Sequence, residues 1–281
     1  MKNQKSFIYA LTCVFVVMLF PTYIEARSTP RINANAYILA DYNKGEVLAE
    51  KNMNKPVTPS NYAKLMTIYL TAKALKDGEL SINDIVTISK ASRAKSFPDS
   101  SKMFLAEGSN VSIYDLMKGV VVQSASDATV ALAEAVSGSE FEFVKLMNQT
   151  ARMLQMTNTT FVSSTGLDEE GQITTATDLL KLSSALIKDF PEVYELYSMK
   201  SFTYNGIQQH NRNGLLWDKK MKVDGMKTSY SQASGYSIIA SSIERDRRVI
   251  AIVIGTTSAS SRNSEAKKLL LHGHSEIVAS N

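Results

Sequence analysis

Cysteine is almost missing from this chain: the single one, Cys13, lies inside an apolar N-terminal run, so the remainder has no thiol chemistry and no disulfides. That is compatible with an oxidising compartment, and it leaves the core to hold the fold. Histidine is nearly as scarce. His210, His272 and His274 are too few for a metal site, and the last two read as tail and surface. No metal and no cofactor is expected. The formal charge is only +4 and is spread evenly, so nucleic acid is not an expected partner. The longest apolar run, residues 7–20, is too short for a comfortable transmembrane span. Low-complexity segments are absent as well.

With 44 % hydrophobic residues in 281, the chain can bury a full core. Residues 1–26 have the pattern of a secretory signal: Lys2 and Lys5 give a positive start, residues 7–20 the apolar stretch, and Ile24-Glu25-Ala26 a cleavage site. Its removal would take Cys13 with it and lower the formal charge from +4 to +3. The expected product, residues 27–281, is one domain in the periplasm or outside the cell.

Two β-prone runs, residues 36–42 and 46–50, flank Asn43-Lys44-Gly45 and predict a hairpin. Helical periodicity follows from Pro59 through Leu75, then at 113–117, 128–136, 141–154 and 176–187. A short strand is expected at 85–88 within a loop-rich stretch. The last third turns to strands at 201–204, 235–241 and 248–255, with a turn feeding a strand at 223–230, and is closed by an amphipathic helix at about 264–271. This pattern predicts an α/β fold: an antiparallel sheet built from both chain ends, flanked by helices, with a helical block inserted. A cleft would lie between the sheet edge and that block.

The helix opening at Thr58-Pro59-Ser60-Asn61 carries an unusual residue, Lys64, one turn in and among apolar neighbours. The positive end of the helix dipole and burial both oppose a cation there, so its pKa should fall toward the range of a general base. The residue three positions earlier shares its face. It is Asn61. Two more polar stretches should face the same cleft: Gln123-Ser124-Ala125-Ser126-Asp127, between two helices, and Val223-Asp224-Gly225-Met226-Lys227-Thr228-Ser229-Tyr230, on a strand. Taken singly they read as a helix cap at Asp127 and an edge strand protected by Lys227.

Together these stretches resemble the SxxK, SxN and KTG motifs of penicillin-binding proteins and class A β-lactamases. The text around them is similar to the low-molecular-mass D-alanyl-D-alanine carboxypeptidases of peptidase family S11: Leu65-Met66-Thr67, residues 126–134, Gly166-Leu167-Asp168, residues 211–218 and residues 223–228. The resemblance spans about residues 30–275. It implies the β-lactamase/transpeptidase-like fold and a serine acyl-transfer enzyme acting on peptidoglycan stem peptides. It further implies that Lys64 is the base, Ser124 a proton relay, and Lys227 with Thr228 the holder of the substrate carboxylate, helped by Arg212. The backbone N–H groups of Asn61 and Tyr230 would be the oxyanion donors.

The motifs themselves depart from the family. Asn61 takes the nucleophile position, Ser126 the SxN asparagine, Ser229 the KTG glycine, and Thr165 a position that is usually histidine. An amide nitrogen delocalised into its carbonyl cannot form a hydrolysable ester, and loss of the serine costs a serine hydrolase on the order of a millionfold in turnover. The expectation is therefore a pseudoenzyme that binds cell-wall peptides or cell-wall enzymes. The alternatives are an active carboxypeptidase with a rearranged site, using Ser60, and an interaction protein working through another surface. Ser60 is expected to cap the helix. The small β domain and membrane-anchoring helix common in this branch are not expected after the domain, so no membrane anchor should remain once the signal is removed.

Overall fold

The computed structural model describes residues 29–167 and 170–279. The expected signal segment with Cys13, and Asp168, lie outside the described residues. The chain opens with the hairpin β1 (Ala36–Asp41) and β2 (Glu46–Lys51), turned at Gly45 with φ +72°. A single 3-10 turn, Ser60–Tyr62, leads into α1 (Ala63–Lys76). Then come β3 (Ile85–Thr87), β4 (Asn110–Ser112), α2 (Ile113–Lys118), α3 (Ser126–Ser137), α4 (Glu140–Met153), α5 (Ala176–Asp189) and the short α6 (Pro191–Tyr194). The last third holds the hairpin β5 (Ser201–Tyr204) and β6 (Ile207–His210), the long strands β7 (Val223–Ser231), β8 (Gly235–Glu244) and β9 (Arg247–Thr256), and α7 (Ala259–Ala279).

Both chain ends meet in one antiparallel sheet, as the sequence pattern predicts; it has five strands in the order β2-β1-β9-β8-β7. Side chains alternate between its faces. On β9, Ile250, Ile252 and Ile254 join the core shared with the helical block, while Val249, Ala251 and Val253 pack under α7. Because both faces are covered, β1 is buried at every position, which is why it reads as a continuous apolar run. The strand edge left open next to the block is β7.

Three expectations need correction. The closing helix is longer than residues 264–271: Ser258 caps it by accepting the Ser261 N–H at 3.0 Å, and it continues to Ala279, two residues before the end of the sequence. His272 and His274 are accordingly part of a packed helix, not a surface tail. His274 is 6 % exposed and shares a 2.7 Å hydrogen bond between Nε2 and Ser242 Oγ. Between them a Cβ on Gly273 would come 3.1 Å from Leu39 and Val249, so glycine lets α7 lie close on the sheet there. The third correction is Ser60. It makes no capping bond; its hydroxyl donates to the Tyr230 carbonyl at 3.1 Å.

Candidate active site

Lys64 is the second residue of α1 and is fully buried. Its ammonium group donates to Asn61 Oδ1 at 2.8 Å, to the Ser124 carbonyl at 2.8 Å and to Ser126 Oγ at 3.1 Å. The helix turn thus places position 61 against the lysine, as their three-residue spacing predicts. Burial is the main reason why Lys64 is lowered from 10.5 to about 7; the Arg212 guanidinium adds to the fall, and Asp127 opposes it.

The stretch around Ser124 is built by a change of helix type. A π-helical turn, Gly119–Gln123, ends at Ser124 in the left-handed region with φ +62°, and α3 begins two residues later. The kink aims the Ser124 carbonyl at Lys64. The Ser124 hydroxyl is buried with no hydrogen-bond partner among the described residues, so the expected relay is near the base but linked to it by backbone. Ser126 Oγ is shared between Lys64 and Ser100 Oγ, the latter at 2.6 Å. Asp127 is not a helix cap. Its carboxylate accepts the backbone N–H groups of Met103 at 2.8 Å and Leu105 at 3.1 Å, fixing the loop that carries Ser100.

Strand β7 forms the opposite wall. Lys227 is 4 % exposed and donates to the Val120 carbonyl at 3.0 Å. Its pKa is well below the ordinary lysine value, through burial first and then the charges of Lys64 and Arg212. The flanking asparagines explain how Arg212 is placed: Asn211 donates to the Met199 carbonyl and Asn213 to the Gly225 carbonyl, both at 2.9 Å. Arg212 between them is exposed, with Nε donating to the Gln123 carbonyl at 3.2 Å. Among the described residues, no ion pair involves Lys64, Arg212 or Lys227. Three basic groups gathered with no carboxylate at ion-pair distance, two of them held below their usual basicity by burial and by one another, favour an anion that would let them take up protons.

Thr228 and Ser229 are buried beside Lys227, and Tyr230 is 53 % exposed, its ring 4.5 Å from that of Tyr236. Ser229 Oγ accepts the Asn61 backbone N–H at 3.2 Å. Behind the helix start, Gly166 with φ +70° abuts Ser60: a Cβ there would stand 1.8 Å from the Ser60 carbonyl oxygen. Thr165 is buried within this loop, its hydroxyl accepting the Leu167 N–H at 3.3 Å.

The nine residues expected at the site thus meet where the start of α1, the turn before α3, the loop at Arg212 and strand β7 come together. Ser100 is an addition that the sequence did not single out. It belongs to a loop whose only signal was polarity, and tertiary contacts alone bring it in. Among the described residues, no group of three or more histidine, aspartate or glutamate side chains is placed to hold a metal.

A family model for D-alanyl-D-alanine carboxypeptidase, peptidase S11, matches residues 24–258. The chain belongs to this family. It is 43 % identical over 265 residues to the D-alanyl-D-alanine carboxypeptidase DacC of Escherichia coli K12, covering 92 % of this chain and 66 % of that protein. It is 44 % identical over 245 residues to DacA of Haemophilus influenzae, covering 87 % of this chain and 62 % of the relative. The chain thus spans somewhat under two thirds of the length of these curated relatives. Among solved structures, penicillin-binding protein 5 of H. influenzae superposes with a TM-score of 0.86 at 43 % identity, covering 88 % of this chain and 72 % of the other. Penicillin-binding protein 6B of E. coli also gives 0.86 at 43 % identity, covering 89 % and 80 %. The S11 chain has the transpeptidase/β-lactamase-like fold of these neighbours, with its three motif stretches converging on Lys64.

Proposed function

We propose that this S11 chain is a catalytically silent relative of the carboxypeptidases that binds peptidoglycan stem peptides ending in D-Ala. One observation carries the reading: the position hydrogen-bonded to the buried base is the Asn61 side-chain amide, 2.8 Å from Lys64 Nζ. An amide offers no hydroxyl to acylate. Ser60 does not replace it, because its hydroxyl donates to Tyr230 and all three Lys64 contacts go elsewhere. The basic groups of Lys227 and Arg212, neither of them in an ion pair among the described residues, support retained binding of a peptide carboxylate, whose charge would favour protonated Lys227, with Thr228 beside them. In this reading Lys64 and Ser124 keep the places of base and relay without a client. The domain of residues 27–281 would act in the periplasm or outside the cell, following the Lys2, Lys5 and residues 7–20 pattern. Among the described residues, no helix is long and apolar enough to cross a membrane.

Two measurements test the proposal. Intact-protein mass spectrometry after incubation with a fluorescent penicillin should show no adduct, and a stoichiometric mass increase would overturn the silent reading. Calorimetric titration with diacetyl-L-Lys-D-Ala-D-Ala should show saturable binding that Lys227→Met weakens. Absence of binding would favour an interaction protein, engaging cell-wall enzymes by another surface.

A further inference from the structure

Loss of the nucleophile leaves one feature of the cleft unexplained, the side chain of Ser229. A glycine in its place would leave the Asn61 N–H free toward the cleft; the serine hydroxyl accepts that N–H at 3.2 Å. The second donor is Tyr230. Within an antiparallel strand the N–H and C=O of one residue point to the same side. The Tyr230 carbonyl accepts the Ser60 hydroxyl, across the edge of β7 that has no neighbouring strand, so the Tyr230 N–H also faces that open edge. Asn61 and Tyr230 thus both present their N–H groups at this edge, and Ser229 Oγ already accepts the first of them. A site for a developing oxyanion works because its donors are aimed and unsatisfied before the charge arrives. Here one donor is already satisfied within the chain.

We infer that Ser229 is a specificity-determining residue that fills the oxyanion position, so that the cleft reads the planar ground-state C-terminus of a D-Ala-ended peptide and discriminates against a tetrahedral anion. The inference rests on the reading of the cleft as a peptide site. Lys227 and Arg212 do not provide this discrimination, because the terminal carboxylate is the same in both kinds of ligand. The difference lies at the penultimate carbonyl alone, where the planar oxygen carries little charge and gains little from the two N–H donors.

The test compares two ligands: diacetyl-L-Lys-D-Ala-D-Ala, and its analogue with a phosphonate in place of the scissile amide, which is tetrahedral, anionic and inert toward Asn61. Calorimetry would give both affinities for the wild-type protein, Ser229→Gly and Ser229→Ala, with thermal unfolding as the check that each variant is folded. The expected result is that the phosphonate-to-peptide affinity ratio rises at least about tenfold in Ser229→Gly, and less in Ser229→Ala, which loses the hydroxyl but keeps a Cβ. A ratio that is unchanged or lower in both variants, with the peptide still binding, would overturn the inference and mean that Ser229 rotates to donate to the anion. If neither ligand binds any of the three folded proteins, the peptide-site reading falls and takes this inference with it.

Discussion

Replacing Lys64 with methionine removes a buried ammonium group while keeping most of the side-chain length, and should change how stability depends on pH. In the folded protein Lys64 is lowered from 10.5 to about 7. Above that pH the folded state carries an uncharged Lys64, whereas the unfolded chain keeps its lysine protonated up to about pH 10.5. The unfolded state binds more protons throughout this window, so stability rises with pH across it. One such group contributes a slope approaching about 1.4 kcal/mol per pH unit. Between about pH 7.5 and 9 Lys64 therefore adds about 2 kcal/mol, which in a domain of this size is about 4–8 °C in Tm. Lys227 shifts in the same direction and is depressed partly by the charge of Lys64, so the two titrate as a pair. Removing Lys64 lets Lys227 regain some basicity, which can only widen the contrast. Differential scanning calorimetry on both proteins across this pH range measures it. A Tm difference constant to within about 1 °C would refute the argument that Lys64 is held near neutral pH by burial.

Restoring the hydroxyl should restore acylation only in part. Asn61→Ser with Ser229→Gly should incorporate fluorescent penicillin about 10²–10³ times faster than Asn61→Ser alone, because the second change frees an oxyanion donor; equal rates would mean that Ser229 moves aside without cost. Adding Ser126→Asn should raise release of D-Ala from a diacyl-D-Ala-D-Ala peptide above that of the single variant, measured by coupled assay, and no release from a folded triple variant would mean the cleft has drifted beyond repair. Gly166→Ala should lose at least about 3 kcal/mol in urea unfolding, since its Cβ would stand 1.8 Å from the Ser60 carbonyl at a φ of +70°. A loss below about 1 kcal/mol would mean that the loop shifts freely.

Much of the fold is legible because its signals are local. The Asn43-Lys44-Gly45 turn between apolar runs marks the first hairpin, and the continuous apolar stretches at 36–40 in β1 and 249–254 in β9 mark strands covered on both faces. β6 was overlooked because Ile207-Gln208-Gln209-His210 lacks a β-prone composition; pairing with β5 decides it. The extent of α7 was missed for a similar reason. Gly273, His272 and His274 read as a tail until the sheet beneath them shows what the glycine makes room for.

By itself the sequence determined which residue types the three motif stretches carry, at fixed spacings on a helix start, a helix junction and a strand. It also determined that position 61 offers an amide, since no folding can turn the Asn61 side chain into a hydroxyl. Tertiary structure alone decided what those residues do to one another. The hydrogen bond from Asn61 to Ser229 joins positions 168 apart in the chain, and the bond from Ser60 to Tyr230 joins positions 170 apart. Such contacts follow from the packing of β7 against the start of α1. The lowered basicity of Lys64 was foreseeable in direction from its apolar helix, but its extent depends on full burial and on Arg212, a loop residue 148 positions away. Local pattern sets which group each segment presents, while burial and long-range contact set whether that group is charged, paired or free.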